Sequence, residues 1–208
     1  MRTIETQIFT FDELSDEAKE KARHAYRQNN TDFSDFYADD CIDNAADVAE
    51  LFGLDIRQTR KASGKYAPSV CYSGFWSQGD GLAFDGKYTY KKGALSAVKK
   101  EYPLDTKLHN IVLQLQKAQS KVFYRATADC STSGFRDNNQ RVTVDVENWP
   151  SNAETVEAEI IEALEDFAHW IYKRLESEYE YLDSDECINE TLSHSATMYE
   201  FTADGEII

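Results

Sequence analysis

The sequence predicts an α+β fold: a mainly antiparallel sheet of four to six strands packed with helices, including one long acidic helix near the C-terminus. Three observations predict it. Short runs alternate apolar and polar residues, as half-buried strands do. Val156, Ile160, Leu164, Phe167, Ile171, Leu175, Tyr179 and Leu182 recur every three or four residues, as on one helix face. No internal repeat or Pro-rich linker divides the chain, so residues 1–208 read as a single α+β domain.

Taken in order, Thr3–Phe11 alternates and reads as an opening strand. Asp12 and Ser15 are both N-cap candidates, and Ser15-Asp16-Glu17-Ala18 puts acids in the first turn of a helix to about Gln28, because Asp and Ser cap free amides and acids suit the positive helix end. A second helix over Ser34–Phe52 sets Tyr37, Cys41, Ala45, Val48 and Leu51–Phe52 at helical spacing on its apolar side and ends at Gly53. Leu54–Thr59 reads as a strand. Val70 and Tyr72, then Leu82 and Phe84, flank a glycine-rich loop as one or two hairpins, with Asp80-Gly81 and Asp85-Gly86 as turn signals. Short helices are expected over Gly93–Tyr102 and Asp105–Ala118. Two strands follow, the first with Val122, Tyr124, Ala126, Ala128 and Cys130 on one face, the second with Val142, Val144 and Val146. Their other faces suggest Arg–Asp cross-strand contacts, worth under about 1 kcal/mol each. Ser151 or Asn152 caps the long helix, which runs to about Tyr181 or Leu182 and would be roughly 45 Å long. A short helix from Ser184 to Leu192, a strand over Met198–Phe201 and a turn at Asp204-Gly205 close the chain.

Hydrophobic content of 41% and aromatic content of 12% fit a folded globule. No stretch approaches the roughly 20 apolar residues of a membrane span, and the opening Met1–Glu5 lacks a signal-peptide core, so the expected location is the cytoplasm and no membrane partner is expected. Cys41, Cys71, Cys130 and Cys187 lie far apart without metal-binding spacing and read as reduced thiols.

The net charge of −16 argues against direct binding of duplex DNA. Its distribution is uneven: residues 1–56 carry −9, residues 57–141 carry +9, and residues 142–208 carry −16. Two readings stand side by side. Acidic helices can compensate a basic sheet, or the chain can offer one acidic surface to a partner and one basic surface to an anion. For the first surface the candidates are Asp39, Asp43 and Asp47 on the second helix and Glu154, Glu157 and Glu162 on the long one, arrayed as in a nucleic-acid mimic. A solvated helix face is the plainer reading.

The densest chemistry lies in Ser73-Gly74-Phe75-Trp76-Ser77-Gln78-Gly79-Asp80-Gly81, within the basic block. Glycines let backbone approach a neighbour, aromatics give flat contact area, and Gln and Asp give directed hydrogen bonds. As a ligand site lined also by Tyr72, Trp76 with Phe75 would stack, Gln78 and Asp80 would bind a base or sugar, and Arg57 and Lys65 would meet phosphate of a small nucleotide-like ligand. Against this stand core packing for the aromatics and a simple turn for Asp80. His24, His109, His169 and His194 are scattered, and no metal-hydrolase, nucleophile-elbow or phosphate-loop pattern occurs. Asp39, Asp40 and Asp43 read as solvated rather than as a metal site. The sequence points to no cofactor, no metal and no catalytic residue. A phosphodiesterase-type enzyme is the least favoured reading.

Phe11-Asp12-Glu13-Leu14-Ser15-Asp16-Glu17-Ala18-Lys19, the central Ser73–Gly81 motif and Tyr199-Glu200-Phe201-Thr202-Ala203-Asp204-Gly205 together resemble a family of small, uncharacterised bacteriophage-encoded proteins. The resemblance implies a phage accessory product acting in the bacterial cytoplasm, whose partner is a host or defence protein that it binds and neutralises. It brings no catalytic residues with it.

Overall fold

The computed structural model describes residues 7–29, 35–77, 79–134, 141–148, 154–194 and 199–208. After a 3-10 turn at Phe11–Glu13 come helices α1 (Asp16–Asn29) and α2 (Asp35–Phe52). Six short strands follow: β1 (Leu54–Ile56), β2 (Gln58–Arg60), β3 (Tyr66–Pro68), β4 (Val70–Tyr72), β5 (Leu82–Phe84) and β6 (Gly86–Thr89). Then come α3 (Ala94–Glu101), α4 (Thr106–Lys121), β7 (Thr127–Ser131), β8 (Thr143–Glu147), α5 (Glu154–Leu182) and α6 (Asp185–His194). The class is α+β, as the sequence predicts.

The residues gather into two compact units: Met1–Tyr37 with Ser177–Ile208, and Ala38–Glu176. The first joins the two chain ends. Phe9 and Phe201 exchange backbone hydrogen bonds at 2.9 and 3.0 Å. Phe11, Leu14, Ala18, Ala22, Ile188, Leu192 and Phe201 are buried together. Gly205, at φ +85°, lies so close to α1 that a Cβ there would sit 2.1 Å from the Ala18 carbonyl oxygen. No other residue fits such an approach. Arg27 reaches the Asp183 carbonyl at 3.0 Å and the Asp185 carboxylate at 2.5 Å. The expected opening strand is only a bridge at Phe9, because Phe11 turns into the 3-10 helix and buries its ring; Thr3–Thr6 lie outside the described residues. The expected closing strand is likewise a bridge at Phe201, and Met198 lies outside them.

The second unit is built on the antiparallel sheet β1-β6-β7-β8 with two-stranded ribbons β2-β3 and β4-β5. Helix α5 places Val156, Ile160, Leu164, Phe167, Ile171 and Leu175 in the core, all under 2% exposed. Each such burial contributes about 1.5–3 kcal/mol. Phe167 meets Phe52 edge-on at 4.9 Å, Phe84 at 6.1 Å and the Trp170 ring in parallel at 5.5 Å. Asp105 caps α4 through the Leu108 amide at 2.9 Å, and its second oxygen takes the Trp170 indole N–H at 2.8 Å.

The ribbons meet at a hub. β1 runs into β2 through Arg57, β3 into β4 through Ser69, and β5 into β6 through Asp85. These three residues close a ring of backbone hydrogen bonds: Arg57 N–H to Asp85 O at 2.8 Å, Asp85 N–H to Ser69 O at 2.9 Å, and Ser69 N–H to Arg57 O at 2.7 Å. Three strand pairs therefore leave one junction, β1 with β6, β2 with β3, and β4 with β5. Each groups’ peptide donors and acceptors are satisfied where the pairs part. Asp85-Gly86 is thus not a turn but extended chain crossing from one pair to the next. Gly86 is required there because a Cβ would lie 2.7 Å from the Asp55 carbonyl oxygen. The expected strand Leu54–Thr59 is divided at Arg57 for the same reason.

Two further expectations change. Val122 and Tyr124 do not enter a strand. Helix α4 continues to Lys121 and its end consumes Val122–Tyr124, with Phe123 and Tyr124 at φ +55° and +61° and the Tyr124 amide on the Gln119 carbonyl. The shared face survives from Ala126 onward, where Ala126, Ala128 and Cys130 are buried. The Arg–Asp cross-strand contacts are absent too. Register sets Asp129 opposite Asp145, and Asp129 instead meets Lys87 of β6 at 3.6 Å.

Candidate functional site

The Ser73–Gly81 loop closes the β4–β5 hairpin, in which Tyr72 pairs with Leu82. Its base is tied by the Ser73 amide to the Gly81 carbonyl at 3.1 Å and by the Gly81 amide to Ser73 Oγ at 3.0 Å. Inside the loop, Asp80 Oδ2 accepts the amides of Trp76 at 3.0 Å and Ser77 at 2.6 Å. Asp80 is therefore the residue that shapes the turn.

A second set of contacts fixes the loop to α5. The Tyr172 hydroxyl donates to the Gly74 carbonyl at 2.9 Å. Phe75 lies between Tyr72, stacked at 6.1 Å, and Tyr172, tilted at 5.4 Å. The Tyr172 phenol is raised above its ordinary range by burial first, then by the charges of Asp80 and Glu176. With its neighbours held, Trp76 is left 74% exposed. Gln78 lies outside the described residues.

Beside the loop is a cavity of about 340 Å³. Leu82, Val142 and Ala168 give it apolar wall. Its polar lining is Asp80 from the loop, Arg141 ahead of β8, and Glu165, Asp166, His169 and Tyr172 from α5. The lining carries three carboxylates against one guanidinium. The side chains of Glu165, Asp166 and Arg141 form no ion pair or hydrogen bond among the described residues; Asp166 and Arg141 are exposed to solvent and Glu165 is half-buried. Lys173 is committed to Glu176. A broader depression of about 600 Å³ along α4 differs, since its Lys121 is paired with Glu159 at 2.5 Å.

Of the residues singled out from sequence, the structure unites Tyr72, Phe75, Trp76 and Asp80 in one loop, but only Asp80 lines the cavity. Arg57 lies at the hub and Lys65 in the turn of the β2–β3 ribbon, where its carbonyl accepts the Lys61 amide at 2.8 Å. Neither lines the cavity. The polar lining residues not among the site candidates were Arg141, Glu165, Asp166, His169 and Tyr172. The spacing of Glu165, His169 and Tyr172, four and then three residues apart, held the available signal: one helix face bearing an acid, an imidazole and a phenol.

The acidic candidates are placed as follows. Asp39 is paired with Lys61 at 2.5 Å, while Asp43 and Asp47 are exposed. Lost hydration and then the charges of Asp39, Asp40 and Asp47 push the Asp43 carboxyl above its ordinary value, against the pull of Lys61. Glu162 accepts the Gln114 amide at 3.1 Å and Glu157 is half-buried on α5; the Glu154 side chain lies outside the described residues. At the hub, burial opposes ionisation of Asp85. Hydrogen bonds from Ser69 and from the Thr132 amide and hydroxyl, with the Arg57 charge, outweigh it and hold the carboxyl low.

All four cysteines are free thiols. Among the described residues, no group of three or more His, Cys, Asp or Glu is placed to hold a metal ion, and no helix is long and apolar enough to cross a membrane. No curated protein and no solved structure matches the chain. A family model matches residues 37–185, which include the whole unit that carries the hub, the loop and the cavity. The chain belongs to the family described as Domain of unknown function (DUF8835).

Proposed function

We propose that the chain is a non-enzymatic binding protein, a phage accessory product that occupies and neutralises a host factor of anti-phage defence in the bacterial cytoplasm. The observation that carries this reading is the exposed Trp76 beside Gly74, Phe75 and Asp80, which are held by their own contacts. Interface energy concentrates in a few large anchors, tryptophan foremost. An anchor held in place before contact avoids part of the ordering cost of binding. Asp80, Phe75 and Tyr172 supply that order. The carboxylates of α2 and α5 add long-range attraction for a basic partner and a salt-sensitive association rate.

Affinity capture from host lysate tests the reading with three proteins side by side: wild type, Trp76→Ala, and Asp43→Asn/Asp47→Asn. The expected result is one specific partner on wild type at low salt, lost on Trp76→Ala. Capture by the double variant should be slower and less sensitive to salt. A partner retained equally by Trp76→Ala overturns the assignment of the anchor, and the absence of any specific partner at low salt overturns the function. Trp76→Ala should leave the melting temperature nearly unchanged, since truncating an exposed side chain usually alters stability by less than about 0.5 kcal/mol.

The nucleotide reading has less support. Arg57 and Lys65 lie away from the cavity, and the cavity's excess of carboxylates opposes phosphate.

A further inference from the structure

We infer that the cavity between the β4–β5 loop and α5 is a binding site for a small basic ligand that also bears a carboxylate: a free basic amino acid, or the C-terminal arginine or lysine of a peptide. This goes beyond the Trp76 reading and does not depend on it, because Trp76 does not line the cavity.

Four observations carry the inference. The volume, about 340 Å³, lies at the lower end of small-molecule sites, which suits a ligand of amino-acid size. Glu165 and Asp166 present carboxylates with no ionic or hydrogen-bond partner among the described residues, and the same holds for the Arg141 guanidinium. Charges of both signs therefore line one concavity without neutralising each other. A ligand bearing both signs satisfies both, whereas a pure anion meets an excess of carboxylates and a pure cation leaves Arg141 unpaired. Lastly, Leu82, Val142 and Ala168 offer apolar wall, and the Tyr172 ring lies beside them. An aliphatic stem of three or four methylenes fits such a wall, as the stems of Lys and Arg do elsewhere on proteins.

The ligand's roles follow from these positions. An ammonium meets Glu165 and Asp166 as a compact point charge, and a guanidinium meets them through planar pairing with a carboxylate. The carboxylate meets Arg141 in the same manner. Asp80 contributes charge rather than a reshaped contact, because Oδ2 is already committed to the Trp76 and Ser77 amides. Tyr172 is anchored through its hydroxyl to Gly74, so its ring is set in place before a ligand arrives.

Isothermal titration calorimetry on the full chain tests this, with L-arginine, agmatine, L-glutamate and AMP as probes. Two peptide arms share a sequence ending in arginine, one with a free carboxylate and one amidated. The variants are Glu165→Gln/Asp166→Asn, Arg141→Gln and Trp76→Ala, each checked for an unchanged melting temperature. The expected result is an L-arginine Kd between about 10 μM and 1 mM. Binding should weaken at least about tenfold in the double variant, corresponding to the loss of one charge-assisted contact. Agmatine, which lacks the carboxylate, should bind wild type more weakly than L-arginine does, and the gap should close in Arg141→Gln. Trp76→Ala should bind L-arginine as wild type does, even where partner capture fails. If the free-carboxylate peptide binds more tightly than L-arginine and amidation removes the gain, the source is a chain terminus; if L-arginine binds as tightly or more so, it is the free amino acid. No L-arginine or peptide binding up to about 10 mM, equal binding by the double variant, or tighter binding of AMP or L-glutamate would overturn the inference.

Discussion

The β2–β3 and β4–β5 ribbons start from the same hub and have strands of equal length, yet only one presents a structured surface. In β2–β3 all three residues of β2 are exposed, and the Lys61–Lys65 turn, closed by its own backbone, is tied to α2 through the exposed Lys61–Asp39 pair. In β4–β5 all three residues of β5 are buried, and the longer loop is fastened by Asp80 from within and by Tyr172 from α5. The comparison teaches that strand pairing supplies a platform but not a site. A hairpin loop becomes a site when a neighbouring helix satisfies its carbonyls and packs its aromatics, because only then do the remaining side chains keep fixed positions.

The largest effect should come from breaking what both ribbons share. Asp85→Ala removes the acceptor of Ser69 Oγ, the Thr132 amide and the Thr132 hydroxyl, leaving half-buried donors unmet. A loss of about 2–3 kcal/mol is expected from urea melts, with both ribbons exchanging amide hydrogens faster. The pH dependence has a definite sign. The folded-state pKa of Asp85 is depressed, so its contribution is full above the unfolded value of about 4 and fades as pH falls through the folded value. Wild type should therefore lose stability in that acid window, and Asp85→Ala should lose less.

A smaller and more selective effect is expected from Tyr172→Phe, which deletes only the hydroxyl bonded to Gly74. The cost should be about 1 kcal/mol. Hydrogen exchange should quicken at Trp76 and Ser77 while the β2–β3 amides stay as they are. Equal change in both ribbons would break the comparison.

The smallest effect belongs to Lys61→Ala in the other ribbon. Its pair with Asp39 is exposed, so stability should change by less than about 0.5 kcal/mol. The Asp43 carboxyl should titrate still higher, because its one opposing cation is gone. Carboxyl NMR titration reads this directly.

Much of this architecture was legible in the chain. The helical spacing of Val156 through Leu175 identifies most of the buried face of α5, because burial on a helix obeys a local period. It leaves out the buried Trp170 and Tyr172, and Tyr179 and Leu182 at the helix end are only half-buried. Asp80-Gly81 was legible as a turn, and Ser73–Gly81 as the densest chemistry. The hub was not legible: Asp85-Gly86 has the composition of a turn and becomes extended chain because the Asp85 peptide is shared with Arg57 and Ser69, partners 28 and 16 residues distant. Val122–Tyr124 alternates like a strand, yet α4 claims it by continuing past Ala118.

The sequence by itself determined the α+β class, the inward face of the long helix and the loop in which aromatic and polar groups concentrate. These depend on period and composition, which act between near neighbours. Only the tertiary structure decided that Phe75 is packed while Trp76 is exposed, that Arg141 joins Glu165 and Asp166 around one cavity, and that the two chain ends build a unit of their own. Those outcomes rest on register and packing between segments far apart in the chain, where a single residue's shift would turn every side chain to the opposite face.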